Sequence, residues 1–168
     1  GVTRRPPGCS RSSQATGTGQ FPDDVCMSAS YTRLFVHLVW STWRRQPCLD
    51  PSMRRRVHGR LASICRSRDS PALAVGGVAD HVHLLVSLHP SIAVSQLVKE
   101  LKVSTTPFAR AQLKIHDFAW QDGYGAFTLR DTECDIVRRY ILDQEAHHAT
   151  GSLVDPWETS TCNPADAG

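Results

Sequence analysis

Two short apolar runs separated by one tight turn constrain the fold most strongly. The runs occupy residues 72–78 and 82–88, and only Ala79, Asp80 and His81 lie between them. So short a connection joins antiparallel strands, whereas parallel strands need a crossover of a dozen or more residues. We therefore predict a β-hairpin near the middle of the chain.

The segments around this hairpin alternate between strand and helix patterns. Residues 31–41 are rich in β-branched and aromatic side chains, which favours a strand. Asp50 before Pro51 predicts a helix start, and we expect Ser91 to cap a second helix. In chain order the prediction is a strand at 31–41, a helix from 51 to about 68, the hairpin strands, a helix from 92 to about 113, a strand at 126–130 and a last helix from 131 or 132 to about 148.

This order of elements indicates the fold class. Strand, helix, strand, strand, helix, strand is the order of a ferredoxin-like split βαβ sandwich. We predict an α+β domain with one antiparallel sheet, helices on one face, and an added C-terminal helix that carries Tyr140.

Composition changes toward both ends of the chain. Residues 1–26 are rich in Gly, Ser, Thr and Pro, and we expect a disordered or non-native extension, with Met27 as the native start. Residues 27–149 are predicted to form one domain. From residue 150 to 168 we expect a disordered or truncated tail, because no periodic apolar stripe is present.

Bulk composition excludes some classes of protein. With 40% hydrophobic and 21% charged residues the chain is typical of a globular protein, and no apolar run approaches the roughly 18 residues of a membrane span. A net charge of +3 permits a nucleic-acid partner without arguing for one. The six cysteines form no C-x-x-C pair and are interpreted as incidental thiols, so we expect a cytoplasmic protein.

The segment Asp80-His81-Val82-His83 is the strongest chemical signal. Side chains alternate along a strand, so His81 and His83 are predicted on one face, where two imidazoles can share a metal ion. Two solvent-facing histidines explain the same pattern, and the H-x-H spacing alone favours that alternative.

A second candidate pair lies on the last predicted helix. Tyr140 and Gln144 are four residues apart, so both side chains can face a common point. Gln144 would then complete a His-His-Gln metal site beside Tyr140. On spacing alone, a packed tyrosine and a surface glutamine explain the pattern slightly better.

Several motifs together resemble one family. The segments 80–86, 95–102 and 120–127, the Tyr140-Ile141-x-x-Gln144 motif with His147-His148, and the opening 31–42 are similar to the HUH transposases of the insertion sequence 200/605 family. The resemblance covers about residues 27–149, in order and at the family's spacing. The tail after His148 departs from the family, which usually continues with another amphipathic segment.

The resemblance implies roles for the candidate residues. Tyr140 would be the catalytic nucleophile, and His81, His83 and Gln144 the metal ligands. The implied activity is transposition by cleavage and rejoining of single-stranded DNA through a 5′-phosphotyrosine intermediate, with Mg²⁺ or Mn²⁺ as cofactor. Implied partners are single-stranded DNA with hairpin ends and a second copy of the chain, in a homodimer with shared active sites.

Other residues are candidates for DNA contact or for structural roles. We predict that cationic side chains contact phosphates and that aromatic rings stack on unpaired bases, although each aromatic fits the core equally well. The cationic candidates are Arg44, Arg45, Lys99 and Lys102, and the aromatic candidates are Trp43, Trp120 and Tyr124. His37, His147 and His148 are interpreted as structural.

A second hypothesis belongs to a different functional class. The chain would be a catalytically inactive ferredoxin-like remnant that still binds nucleic acid through its sheet and basic residues. Only the enzyme hypothesis predicts a covalent protein–DNA adduct that requires Tyr140 and a divalent metal.

Overall fold

The computed structural model describes residues 31–152 and 154–158. The predicted extension at 1–26 and the start at Met27 lie outside these residues. The elements are β1 Phe35–Ser41, α1 Pro51–Ser67, β2 Ala72–Gly77, β3 His81–Ser87, α2 Val94–Gln112, β4 Gly125–Leu129, α3 Cys134–Leu142, α4 Gln144–Thr150 and α5 Asp155–Glu158, with 3₁₀ turns at Trp43–Arg45 and Asp131–Glu133.

The four strands form one antiparallel sheet in the order β2-β3-β1-β4. This order, with a helix between β1 and β2 and another between β3 and β4, is the ferredoxin-like arrangement. The predicted fold class and the hairpin are therefore confirmed. No helix in the described part of the chain is long and apolar enough to cross a membrane.

The main core lies between the sheet and the helices α1 and α2. Alternate residues of the central strands, including Leu38, Trp40, Val82 and Leu84, are fully buried there. The opposite sheet face carries a smaller apolar cluster of Ala74, Leu85, Val137 and Ile141, which holds α3 against β2 and β3. The sheet thus has α1 and α2 on one face and α3 on the other.

Helix α1 begins as the sequence predicts. The Asp50 carboxylate accepts hydrogen bonds from the backbone N–H groups of Ser52 and Met53, and Pro51 is the first helical residue. The predicted cap of α2 is wrong, because α2 begins at Val94 and the Ser91 hydroxyl instead bonds the ring of His89. Pro107 lies inside α2 without ending it.

Gly59 is an exposed position in the middle of α1. A methyl group added there meets no atom within 4 Å. We expect Gly59→Ala to raise the free energy of unfolding by about 1 kcal/mol, because alanine loses less conformational entropy in a helix. Thermal unfolding followed by circular dichroism should show a midpoint higher by about 2–4 °C. An unchanged or lower midpoint would contradict this expectation.

Candidate functional site

The two histidines of the H-x-H motif lie side by side on the sheet face that carries α3. His81 and His83 are fully buried, and their ring centroids are 5.0 Å apart. They pair with Ser41 and Val39 of β1, respectively, so they lie near the start of a central strand of the sheet. The alternative of two solvent-facing histidines therefore does not hold.

Each of these rings is oriented through its Nδ1 atom. The Asp80 carboxylate lies 2.7 Å from Nδ1 of His81, and Nε2 of His37 lies 2.9 Å from Nδ1 of His83. His37 also stacks on His83 with ring centroids 5.2 Å apart. Such contacts orient metal-binding histidines, since they leave Nε2 for the ion. His37 thus has the structural role predicted for it.

Tyr140 and Gln144 meet these histidines within the same chain. The Tyr140 ring lies 6.0 Å from the His83 ring, and Gln144 Oε1 lies 3.4 Å from His81 Nε2. Tyr140 is 5% and Gln144 1% exposed, so neither is a surface residue. Packing of α3 on the sheet brings together all four residues proposed from sequence.

The last predicted helix is divided into two. Asp143, with φ −96° and ψ 17°, separates α3 from α4, so Tyr140 lies in the last turn of one helix and Gln144 starts the next. Asp is a weak helix former because its side chain competes for backbone hydrogen bonds. The four-residue spacing nevertheless leaves both side chains on the same side.

Two further residues reach the site that sequence analysis did not assign to it. His148 of α4, interpreted above as structural, lies with its ring 4.9 Å from the His81 ring. Glu158 of α5 contacts the Tyr140 hydroxyl, and its carboxylate lies 3.3 Å from His81 Nε2. Potential ligand atoms of His81, His148 and Glu158 all lie within 4.8 Å of one another.

Residues 155–158 of the predicted irregular tail form one helical turn beside the site, and residues 153 and 159–168 of that tail lie outside the described residues. No periodic pattern marks this turn. The weak signals for the two additional residues are the adjacent His147-His148 pair and the lone Trp157-Glu158 pair in a polar segment.

Buried charges shift the pKa values of the site. Burial lowers the pKa of His81, but the hydrogen bond to Asp80 and the nearby Glu158 carboxylate outweigh it and raise that pKa to about 9. Burial, together with the charge of His81, lowers the pKa of His83. Burial also disfavours ionised Glu158, yet its contacts with the histidines and Tyr140 lower its pKa. The site thus holds a carboxylate among imidazoles.

The pKa of the Tyr140 phenol is raised. Burial is the main cause, and the hydrogen bond to Glu158 adds to it. A phenol with this environment is a weak nucleophile until its surroundings change or a cation approaches. Substrate and metal would have to supply that change.

The structure removes two candidates for DNA contact. Trp120 is 6% exposed, packs edge-on against Trp40 and Phe118, and donates its indole N–H to Thr105, so it is a core residue. The Lys102 ammonium donates to three backbone carbonyls in the 121–123 loop, which fixes that loop. Both side chains are therefore engaged within the protein and do not face outward to contact a base or a phosphate.

The other DNA-contact candidates lie in two places. Lys99 is exposed and lines, with the half-buried Tyr124, a groove of about 520 Å³ beside α2. The half-exposed Trp43 and the exposed Arg44 and Arg45 follow β1, and Arg45 lies 3.9 Å from the Asp80 carboxylate. This second group is adjacent to the histidine site.

Comparison with known proteins identifies one family and several structural neighbours, among them the following two. A proposed transposase from Deinococcus radiodurans R1 has a TM-score of 0.51 and 23% identity over 68% of this chain and 93% of its own. A REP-associated tyrosine transposase bound to a REP hairpin has a TM-score of 0.55 and 15% identity over 71% of this chain and 72% of its own. At these identities the neighbours support the fold alone. No curated protein matches the chain. The family of IS200-like transposases matches residues 30–144, most of the sequence, and this chain belongs to that family.

Proposed function

We propose that this transposase cleaves and rejoins single-stranded DNA through a covalent bond to Tyr140, with the help of a divalent metal ion. The observation that carries the proposal is the convergence of Tyr140, His81, His83 and Gln144 within one chain. All four side chains are buried where α3 and α4 pack against β3, and burying this many polar groups in one place is costly, which supports a functional role for the cluster.

The proposed reaction exchanges one phosphodiester for another. The Tyr140 oxygen attacks a backbone phosphorus, the bond from phosphorus to the 3′ oxygen breaks, and a 5′-phosphotyrosine forms. The phenol loses its proton and the departing 3′ oxygen gains one, so no oxidant or reductant is consumed. Attack of a 3′-hydroxyl on the phosphotyrosine reverses these steps and rejoins strands.

The donor set fits a divalent cation. Within the described residues, His83 Nε2, His148 Nε2 and a Glu158 oxygen are buried without a hydrogen-bond partner. His81, His83 and Gln144 would hold the ion, which when bound supplies positive charge for the phosphate in the transition state. A mixed set of imidazole and amide donors does not select one metal by ligand type, and the family resemblance implies Mg²⁺ or Mn²⁺.

For the DNA we propose a hairpin flanked by single strands. The neighbour bound to a REP hairpin supports this substrate, since it shares the fold. We propose Arg44, Arg45 and Lys99 as phosphate contacts, and Trp43 and Tyr124 as base contacts. We propose the cytoplasm, where such DNA is present, as the compartment.

The homodimer with shared active sites stays a prediction. In the structure the chain's own tyrosine helix reaches its own histidines, because α3 packs on β2 and β3. In a dimer with shared active sites, α3 would have to leave its own sheet and pack against the histidines of the partner subunit. Light scattering of the protein with and without DNA would measure the oligomeric state.

The direct test is formation of a protein–DNA adduct. We expect labelled single-stranded DNA that carries the hairpin and flanks of the protein's own locus to form a denaturant-resistant adduct with Mn²⁺. Removal of the metal by EDTA should abolish the adduct, and His81→Ala should reduce it at least about 10- to 100-fold, as loss of metal-site groups does. Salt-sensitive DNA binding without any adduct would instead support the inactive nucleic-acid-binding remnant.

A further inference from the structure

The C-terminal turn α5 is held against the catalytic face by packing of its own. The chain reverses at Gly151, whose φ of 68° is left-handed, and returns over the sheet. The Trp157 ring then packs edge-on against Tyr140 at 4.9 Å and against His37 at 5.9 Å. This packing places Glu158, the next residue, among the histidines.

We propose that Glu158 is a ligand of the catalytic metal ion, supplied by a segment that lies beyond the residues matched by the family. The proposal rests on the metal-dependent function proposed above. One Glu158 oxygen lies 3.3 Å from His81 Nε2 and 3.6 Å from His148 Nε2, and the other lies 3.5 Å from His83 Nε2. Three imidazole nitrogens from two elements therefore face one carboxylate.

The distances fit donors that share an ion better than direct ion pairs. A charge-assisted N–H to carboxylate hydrogen bond is about 2.7–2.9 Å long, shorter than any of these three separations. Two ligand atoms about 2.1 Å from one cation are about 3.0–3.4 Å apart in octahedral or tetrahedral arrangements, close to the separations observed.

An anionic ligand also suits the charge of a divalent ion. The other donors facing this position are imidazole nitrogens and the amide of Gln144, none of which carries negative charge. Divalent ions such as Mn²⁺ prefer carboxylate oxygens. The Asp80 carboxylate is hydrogen-bonded to Nδ1 of His81, on the side of the ring away from Nε2. Among the described residues Glu158 is the carboxylate that faces the Nε2 atoms, and its side chain is 13% exposed.

The same carboxylate positions the nucleophile. The Tyr140 hydroxyl donates a hydrogen bond to Glu158 and accepts one from the backbone N–H of Val154. A ligand that also contacts the phenol keeps the reacting oxygen close to the ion and therefore close to a phosphate bound there. The segment after α4 would thus be part of the active centre.

Measuring Mn²⁺ binding in the absence of DNA tests the role of Glu158 independently of DNA cleavage. Mn²⁺ is titrated into the full chain, and free Mn²⁺ is measured by its electron paramagnetic resonance signal. We expect Glu158→Gln to weaken binding about 10- to 100-fold, since even outer groups of a metal site have effects of this size. Asp117→Asn is the control, because it removes an equal charge from an exposed side chain in the loop between α2 and β4; it should bind as wild type does.

Each result has a defined meaning. Glu158→Asp, which keeps the charge, should bind more tightly than Glu158→Gln, and circular dichroism without metal should show both folded. Equal Mn²⁺ affinity of wild type and Glu158→Gln would overturn the role of Glu158 alone. If the two proteins bind Mn²⁺ equally and Glu158→Gln also forms the adduct faster, α5 obstructs the active site and supplies no ligand. Absence of Mn²⁺ binding by wild type would overturn the metal site itself.

Discussion

Tyr140→Phe is expected to reduce the covalent adduct with single-stranded DNA by at least about a thousandfold, and to leave DNA binding nearly unchanged. The substitution removes the only atom of this side chain that can attack phosphorus, and loss of a nucleophile has effects of this order or larger in other enzymes. The ring itself should stay in place, because it packs against His147 at 4.7 Å and Trp157 at 4.9 Å.

The readout for Tyr140→Phe combines two measurements. Labelled DNA attached to protein is measured in denaturing gels, and affinity is measured by fluorescence anisotropy at one fixed salt concentration. Loss of the hydroxyl removes its contacts with Glu158 and Val154, which should cost about 1 kcal/mol of stability. An adduct that persists in Tyr140→Phe would assign the nucleophile to another residue and contradict the proposed reaction.

Gly76→Ala is expected to lower the free energy of unfolding by about 3 kcal/mol and to impair cleavage. A Cβ at this position would lie 1.8 Å from the backbone oxygen of Ile141 in α3. The contact is with backbone, so α3 itself must move, and overpacking of this kind costs up to about 3 kcal/mol. Because Tyr140 precedes Ile141, a displacement of about 1 Å should reduce adduct formation about 100-fold.

Thermal unfolding and adduct formation together test this expectation. The unfolding midpoint of Gly76→Ala should fall by about 6–12 °C. Gly59→Ala is the matched control, since the same chemical change in α1 meets no neighbouring atom and should raise the midpoint. A midpoint and an adduct yield equal to wild type in Gly76→Ala would mean that α3 does not pack on β2 as the structure has it.

Local patterns were sufficient for most elements of the fold. Two apolar runs with a short connection predicted the hairpin, and the Asp50-Pro51 pair predicted the start of α1, because both depend on residues close in sequence. The start of α2 was less predictable. Ser91 has the side chain of an N-cap, but its hydroxyl bonds His89, and Ala93 precedes the helix without a side-chain cap.

The candidate site, like the fold, was only partly predictable from local sequence patterns. The H-x-H spacing and the spacing of Tyr140 and Gln144 predicted which side chains share a face. The resemblance to the family then brought the two pairs to one site, which periodicity could not do. The sequence did not show that Trp120 and Lys102 make contacts inside the protein. An aromatic or cationic residue has the same sequence signal whether it contacts DNA, the core or a loop carbonyl.

The sequence by itself determined the order of strands and helices, the face of β3 that carries His81 and His83, and the family of the chain, because each is encoded in residues at short or regular spacing. Only the tertiary structure decided that α3 packs with its backbone against Gly76 and that Glu158 returns to the Nε2 atoms of those histidines. These contacts join segments far apart in the chain. They depend on a left-handed turn at Gly151 and on the packing of Trp157, and no local pattern encodes such long-range contacts.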